Sequence, residues 1–337
     1  MVTIPPLAYE PVPGCAGWRP QGLEGPPIGV LGFGSWGLGP SPRLVPLPPA
    51  SMTEPAAIAI RAHWVTIDPS PAGLTDPLLD QAGGRAVPLR CWWARPEVQA
   101  PRGVVIVLPE VFGVNGWVRS VADRLAAAGY AALALNTMAR TAPDLELDYD
   151  AAGLELGRQH RDVVTAAGCL DDLAASVAWI RAQPDLAGGP IGCVGFCFGG
   201  HLALLAATLP AIRATCAFYG ARVSSFRPGG GPPSLELVPQ IPGRLWCFCG
   251  DQDPLIPAGE ITAVAAALTA ANGGVPAKSE AGYHRLLVAP GAGHGYMCEA
   301  RADFCQEAAR SGWSEMLGLF AAMAAGSSRP HGRTKAV

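Results

Sequence analysis

From about residue 60 onward, short β-rich runs alternate with windows of helical periodicity. Residues 62–67 and 86–93 alternate apolar and polar positions, the pattern of antiparallel strands with one face buried. Residues 103–108 are continuously apolar and read as a strand buried on both faces; a helical window at 117–128 and a second apolar strand at 131–135 follow. Further along, the spacing predicts a long helix over 160–183, a strand at 190–196, a helix at 199–208 and strands at 212–219 and 243–249. A helix at 257–272, a strand at 284–289 and a last helix at 301–325 complete the series. Strand and helix repeating in this order imply a mostly parallel, twisted sheet with helices on both faces.

The segments flanking this alternation differ in kind. Residues 1–51 are dense in Pro and Gly, with Pro-Pro at 5–6, 26–27 and 48–49, and show no sustained period. Such a composition has too little apolar surface to offset the entropy of ordering it, so a disordered extension is expected, or Met52 as the true initiator. Within it Gly32-Phe-Gly34-Ser-Trp-Gly37 matches a dinucleotide-binding fingerprint, but Pro40 and Pro42 prevent the helix such a site requires, and no acidic ribose partner follows about twenty residues on. The domain proper is then residues 52–325, and 326–337 form a polar, basic tail.

Composition narrows the class of function. Half of the 337 residues are hydrophobic, only 15% are charged, and the formal net charge is −3, which leaves no electrostatic footprint for nucleic acid or an anionic membrane. No apolar stretch approaches the roughly 18 residues of a membrane span, and no basic segment precedes an apolar one at the N-terminus, so a cytoplasmic location is expected. The partner expected is a small molecule, with the chain itself a monomer or homodimer. Ten cysteines are scattered, several within apolar runs. Cys247 with Cys249, and Cys298 with Cys305, lack the paired CxxC spacing of a zinc site, so no metal is expected.

The chemistry concentrates where strands end. Ile191-Gly-Cys-Val-Gly195-Phe196-Cys197-Phe198-Gly199-Gly200 is a strand running through G-x-C-x-G into a helix, the nucleophile elbow with sulfur in place of a hydroxyl. At a helix N-terminus a thiol is biased toward the reactive thiolate. Downstream, Gly250-Asp251-Gln252-Asp253-Pro254 follows one strand and Gly291-Ala-Gly293-His294-Gly295 another, giving the order nucleophile, acid, histidine that this fold uses. Asp253 is favoured over Asp251 because it directly precedes Pro-Leu-Ile-Pro, and His294 is the only one of six histidines on a glycine-flanked loop. Pro109-Glu110-Val111-Phe112-Gly113-Val114-Asn115 follows the first parallel strand, where the backbone N–H of Val111 joins that of Phe198 as an oxyanion hole.

PEVFGVN, GFCFGG, GDQDPLIPA and GAGHGYM together resemble the dienelactone hydrolase family over residues 88 to 325. The resemblance implies an α/β-hydrolase fold, a Cys197–His294–Asp253 triad, and Glu110 as acceptor of the thiol proton when substrate binds. It implies hydrolysis of a cyclic enol-lactone such as dienelactone and no cofactor. The chain departs from the family at Cys298, where members acting on dienelactone carry an Arg for the substrate carboxylate; Arg301 stands nearby, and Arg158 and Arg161 are candidates for a second family Arg. Competing readings are a general thiol carboxylesterase or small-amide hydrolase on neutral substrates, a non-catalytic ligand-binding member of the fold, and a redox role for Cys247 and Cys249. Deleting residues 1–51 is expected to leave kcat/KM within about twofold, because a Pro/Gly-rich segment without periodicity has little to dock. A Tm drop of several degrees in a melting experiment would contradict this.

Overall fold

A computed structural model of the chain describes residues 58–68 and 87–326; the expected extension at 1–51 and all of the expected tail but Gly326 lie outside them. One eight-stranded sheet organises the described residues. In chain order the strands are β1 Ile60–Ile67, β2 Leu89–Pro96, β3 Val104–Leu108, β4 Ala131–Leu135, β5 Ile191–Phe196, β6 Ile212–Phe218, β7 Arg244–Gly250 and β8 Arg285–Ala289. Their spatial order is β1-β2-β4-β3-β5-β6-β7-β8. The β1–β2 and β2–β4 pairs are antiparallel and every later pair is parallel, so the two alternating strands of the sequence are the edge starters and the continuously apolar ones the interior. With helices packed against it, this is the α/β-hydrolase fold. Every residue of β3, β4 and β5 is buried.

The helices are α1 Gly116–Ala127, α2 Ala151–Asp162, α3 Ala166–Arg181, α4 Phe198–Ala206, α5 Ala258–Ala271 and α6 Gln306–Ala324. The single helix expected over 160–183 is two, α2 and α3, bent by 93° at the break. Their caps explain the break. Asp150 accepts a hydrogen bond from Gly153 N at 2.7 Å and starts α2, while Thr165 accepts from Gly168 N at 3.1 Å and starts α3. Between them Ala166 N donates to Pro228 O at 2.8 Å rather than continuing α2. The buried carboxylate of Asp172 then ties α3 to Arg140.

The last helix begins at Gln306 rather than 301, because residues 298–305 turn back on themselves through Arg301 N to Cys298 O (3.0 Å) and Cys305 N to Tyr296 O (3.1 Å). His284, expected inside a strand, precedes β8; it is buried and accepts from Leu245 N at 3.2 Å. Among the described residues no single helix is long and apolar enough to cross a membrane.

Two glycines make opposite demands. A Cβ on Gly195 would lie 1.9 Å from Gly199 O, whereas Gly318, exposed in mid-α6, would present its Cβ to open space. Gly318→Ala should therefore stabilise the protein by about 1 kcal/mol, roughly 2–4 °C in Tm, by removing backbone freedom from the unfolded chain. Gly195→Ala should lower Tm by several times that amount, or prevent folding, and equal Tm values for the two variants would contradict this reading.

Candidate active site

Each functional loop leaves the carboxyl end of a parallel strand, where an open α/β sheet places its ligands. β5 runs into Cys197 at φ 53°, ψ −116°, a left-handed conformation that a non-glycine residue adopts only under constraint. The constraint is visible: Cys197 N donates to Phe218 O at 3.0 Å, and α4 begins at the next residue. As the first residue of α4, Phe198 has no carbonyl four residues back in its own helix to receive its N–H. Val111, the other expected oxyanion donor, is buried at the end of β3 beneath α2, where a Cβ on Gly157 would lie 2.3 Å from Val111 O.

Three side chains from three loops meet at the elbow. His294 Nε2 lies 3.0 Å from Cys197 Sγ, and His294 Nδ1 lies 2.8 Å from Asp253 Oδ2. The other Asp253 oxygen accepts from Leu255 N at 2.8 Å, so its carboxylate, with no exposed side-chain surface, is fixed on both sides. Burial alone would discharge His294; the charges and hydrogen bonds of Cys197 and Asp253 outweigh it and push the imidazole up to about 10. A charged imidazole thus stands within hydrogen-bond reach of the Cys197 sulfur. Asp251, expected to be a solvated turn residue, is exposed but accepts from Gly291 N at 2.7 Å, stapling the acid loop to the histidine loop.

Glu110 is completely buried. Its Oε1 accepts from Arg301 Nη1 at 3.1 Å, while Oε2 has no hydrogen-bond partner. Burial raises its carboxyl, opposed by the charges of Arg301 and His294 and by the Tyr149 hydroxyl. Among the described residues no hydrogen bond joins Glu110 to Cys197; the thiol's partner is His294. Arg301 reaches Glu110 across Gly295, at φ 86°, where a Cβ would lie 2.5 Å from the guanidinium Nε. It is also 3.5 Å from Asp303 Oδ2.

Cys298 is wholly buried beside Tyr149 and Glu110. Arg158 and Arg161 are not drawn into this cluster: the inward face of α2 carries Gly153 and Gly157, Arg158 is exposed, and Arg161 bonds Asp162 at 2.6 and 2.8 Å.

Sequence reasoning passed over three neighbours. Tyr149 lies against Phe112 with ring centroids 4.5 Å apart. Tyr219 sits 5.3 Å from the His294 ring. Glu299 accepts from Trp117 Nε1 at 2.6 Å and from Arg124 Nη1 at 2.8 Å, clamping the histidine loop to α1. None lies in a motif, and only the position of Tyr219 at the end of the predicted strand 212–219 pointed toward the site. No group of three or more His, Cys, Asp or Glu side chains among the described residues is arranged to hold a metal ion.

Comparison with known proteins agrees with this architecture. The family model described as the dienelactone hydrolase family matches residues 89–324. A candidate carboxymethylenebutenolidase of Synechocystis is 37% identical over 227 residues, covering 67% of this chain and 89% of that protein. The carboxymethylenebutenolidase of Pseudomonas putida is 31% identical over 161 residues, 48% of this chain and 64% of its own length. A crystal structure of a candidate dienelactone hydrolase from Klebsiella pneumoniae superposes with a TM-score of 0.64 at 27% identity, covering 78% of this chain and 99% of that one. The chain belongs to the dienelactone hydrolase family.

Proposed function

We propose that this protein hydrolyses uncharged esters or lactones through a thioester intermediate on Cys197. The observation that carries the reading is the continuous hydrogen-bonded chain from Asp253 through His294 to Cys197, at 2.8 and 3.0 Å. The thiolate attacks the carbonyl carbon, and the carbonyl electrons move onto an oxygen that accepts from the N–H groups of Phe198 and Val111. As the tetrahedral centre collapses, the C–O bond to the leaving group breaks and His294 gives that oxygen its proton. In a lactone the leaving alcohol or enol remains tethered to the acyl group. Water then attacks the thioester carbonyl while His294 takes its proton, and collapse releases the acid and restores thiolate and imidazolium. Asp253 holds the imidazole tautomer and orientation throughout.

The resemblance gives the thiol proton to Glu110. The direct contact between Cys197 and His294 favours His294 as its holder, with Glu110 as the fixed counter-charge of Arg301. This bears on substrate charge. Arg301 is already neutralised by buried Glu110 and by Asp303, so with Cys298 where the family places a carboxylate-binding Arg, an anionic lactone meets at Arg301 a guanidinium that is already paired. Burying its carboxylate unpaired costs several kcal/mol. A neutral ester pays no such penalty.

Three outcomes follow from this chemistry. Cys197→Ala should lose all turnover of a p-nitrophenyl ester while melting like the wild type, since the half-buried sulfur contributes little packing; retained turnover would end the cysteine-hydrolase reading. Because His294 remains charged up to about 10, alkylation of Cys197 by iodoacetamide should stay fast from pH 8 down to 6. In His294→Ala the rate should instead fall steeply over that range, since no imidazolium then stands beside the sulfur; coincident profiles would contradict the ion pair. Wild type should prefer neutral esters over dienelactone, and Glu110→Gln, which frees the Arg301 charge, should shift that preference toward the anion by about tenfold, a modest charge-assisted hydrogen bond. An unmoved ratio of kcat/KM values would show that the pair does not select substrate charge.

A further inference from the structure

Tyr219 combines a strained backbone, a buried hydroxyl without a hydrogen-bond partner and a ring set edge-on to His294. It directly follows β6 and takes φ 38°, a left-handed conformation that is strained for a bulky aromatic residue. Its side chain is fully buried, yet its hydroxyl has no hydrogen-bond partner. Its ring stands at 64° to the His294 ring with centroids 5.3 Å apart, and at 66° to the Tyr296 ring at 5.4 Å. Strain of this kind persists only where the surroundings over-determine it, and it clusters at functional sites. Here the surroundings are the elbow. Phe218 O accepts from Cys197 N at 3.0 Å while Tyr219 N donates to Phe248 O at 2.7 Å, so the chain must turn between two neighbouring strands at this residue. Gly220 then passes close to the start of α4, where a Cβ on it would lie 2.7 Å from His201 N.

We propose that Tyr219 is a positioning residue whose ring, presented by its left-handed backbone, holds the His294 imidazole in line between Asp253 and Cys197. The inference rests on the reading of Cys197 as the nucleophile. His294 is met by charged or titratable groups from every side: Asp253 after β7, Cys197 at the elbow, Glu110 after β3 and Tyr219 after β6, with Arg301 on its own loop balancing Glu110. Asp253 fixes one nitrogen but leaves the imidazole free to rock about that bond. An aromatic wall at van der Waals range removes that freedom, and a ring meeting another at a steep angle is the favoured aromatic geometry. The hydroxyl, having no partner, is not the working part.

The test compares Tyr219→Phe, which keeps the ring, with Tyr219→Leu and Tyr219→Asn, which remove it. Asn tolerates the left-handed backbone, so a ring-less variant retains the turn. Near-UV circular dichroism establishes that each is folded. Two quantities are read: the pH dependence of Cys197 alkylation by iodoacetamide, and kcat and KM for a p-nitrophenyl ester. Phe should match wild type within about twofold in both, because positioning resides in the ring. In Leu and Asn kcat should fall about tenfold with KM within about twofold, and the alkylation midpoint should move upward from that of the wild type. A merely structural role would lower Tm without moving that midpoint. A low wild-type midpoint shared by Leu and Asn overturns this inference alone. A wild type that itself titrates as a free thiol overturns the nucleophile reading and this inference with it. A Phe variant as impaired as the other two transfers the role to the hydroxyl and overturns the ring assignment.

Discussion

Where β5 becomes α4, backbone meets backbone. A Cβ on Gly195 would sit 1.9 Å from Gly199 O, one on Gly199 would sit 2.3 Å from Leu108 O, and one on Gly200 would sit 2.2 Å from Phe218 O. The start of α4 is thereby wedged against the ends of β3, β5 and β6, and Cys197 is left at φ 53° at the lip of the sheet with the helix beginning behind it. Everything chemical depends on that packing. The sulfur faces His294, Phe198 starts the helix, and Phe218 and Tyr219 are brought against the elbow by the same contact.

Around the elbow, charge is arranged in pairs. Asp253 and Glu110 expose no side-chain surface, and each has a cation: His294 for the first, Arg301 for the second. Buried pairs of this kind contribute little to stability compared with apolar packing, so their presence speaks for chemistry. The two differ in what they leave over. His294 keeps Nε2 for the thiol, whereas Arg301 divides its charge between Glu110 and Asp303. One pair therefore extends to the sulfur, and the other is closed on itself.

Much of this was legible along the chain. Continuous apolar runs at β3, β4 and β5 announced a parallel interior, and the order of Cys197, Asp253 and His294 announced three side chains that the fold brings into contact, because both are encoded by residues close in sequence to the strands that carry them. What escaped depended on contacts between distant segments. The break between α2 and α3 rests on the Thr165 cap and on Pro228, 62 residues from Ala166 and outside any periodicity window. Arg158 and Arg161 were plausible by type alone, but the inward face of α2 needs glycine to approach Val111. Arg301 was recognised only as nearby, since its reach to Glu110 requires a loop at 298–305 where helical spacing had been read. The ring of Tyr219 over His294 joins two strand ends and left no mark in any motif.

In the proposed reaction an acyl group passes through the sulfur of Cys197. Its most direct test is to mix the wild-type enzyme with a p-nitrophenyl ester, quench in acid during turnover, and measure intact and peptide masses. The account predicts a mass increase of one acyl group, located on the peptide containing Cys197 and released by neutral hydroxylamine as a thioester would be. Full turnover with no adduct, or an adduct confined to another residue, would contradict it.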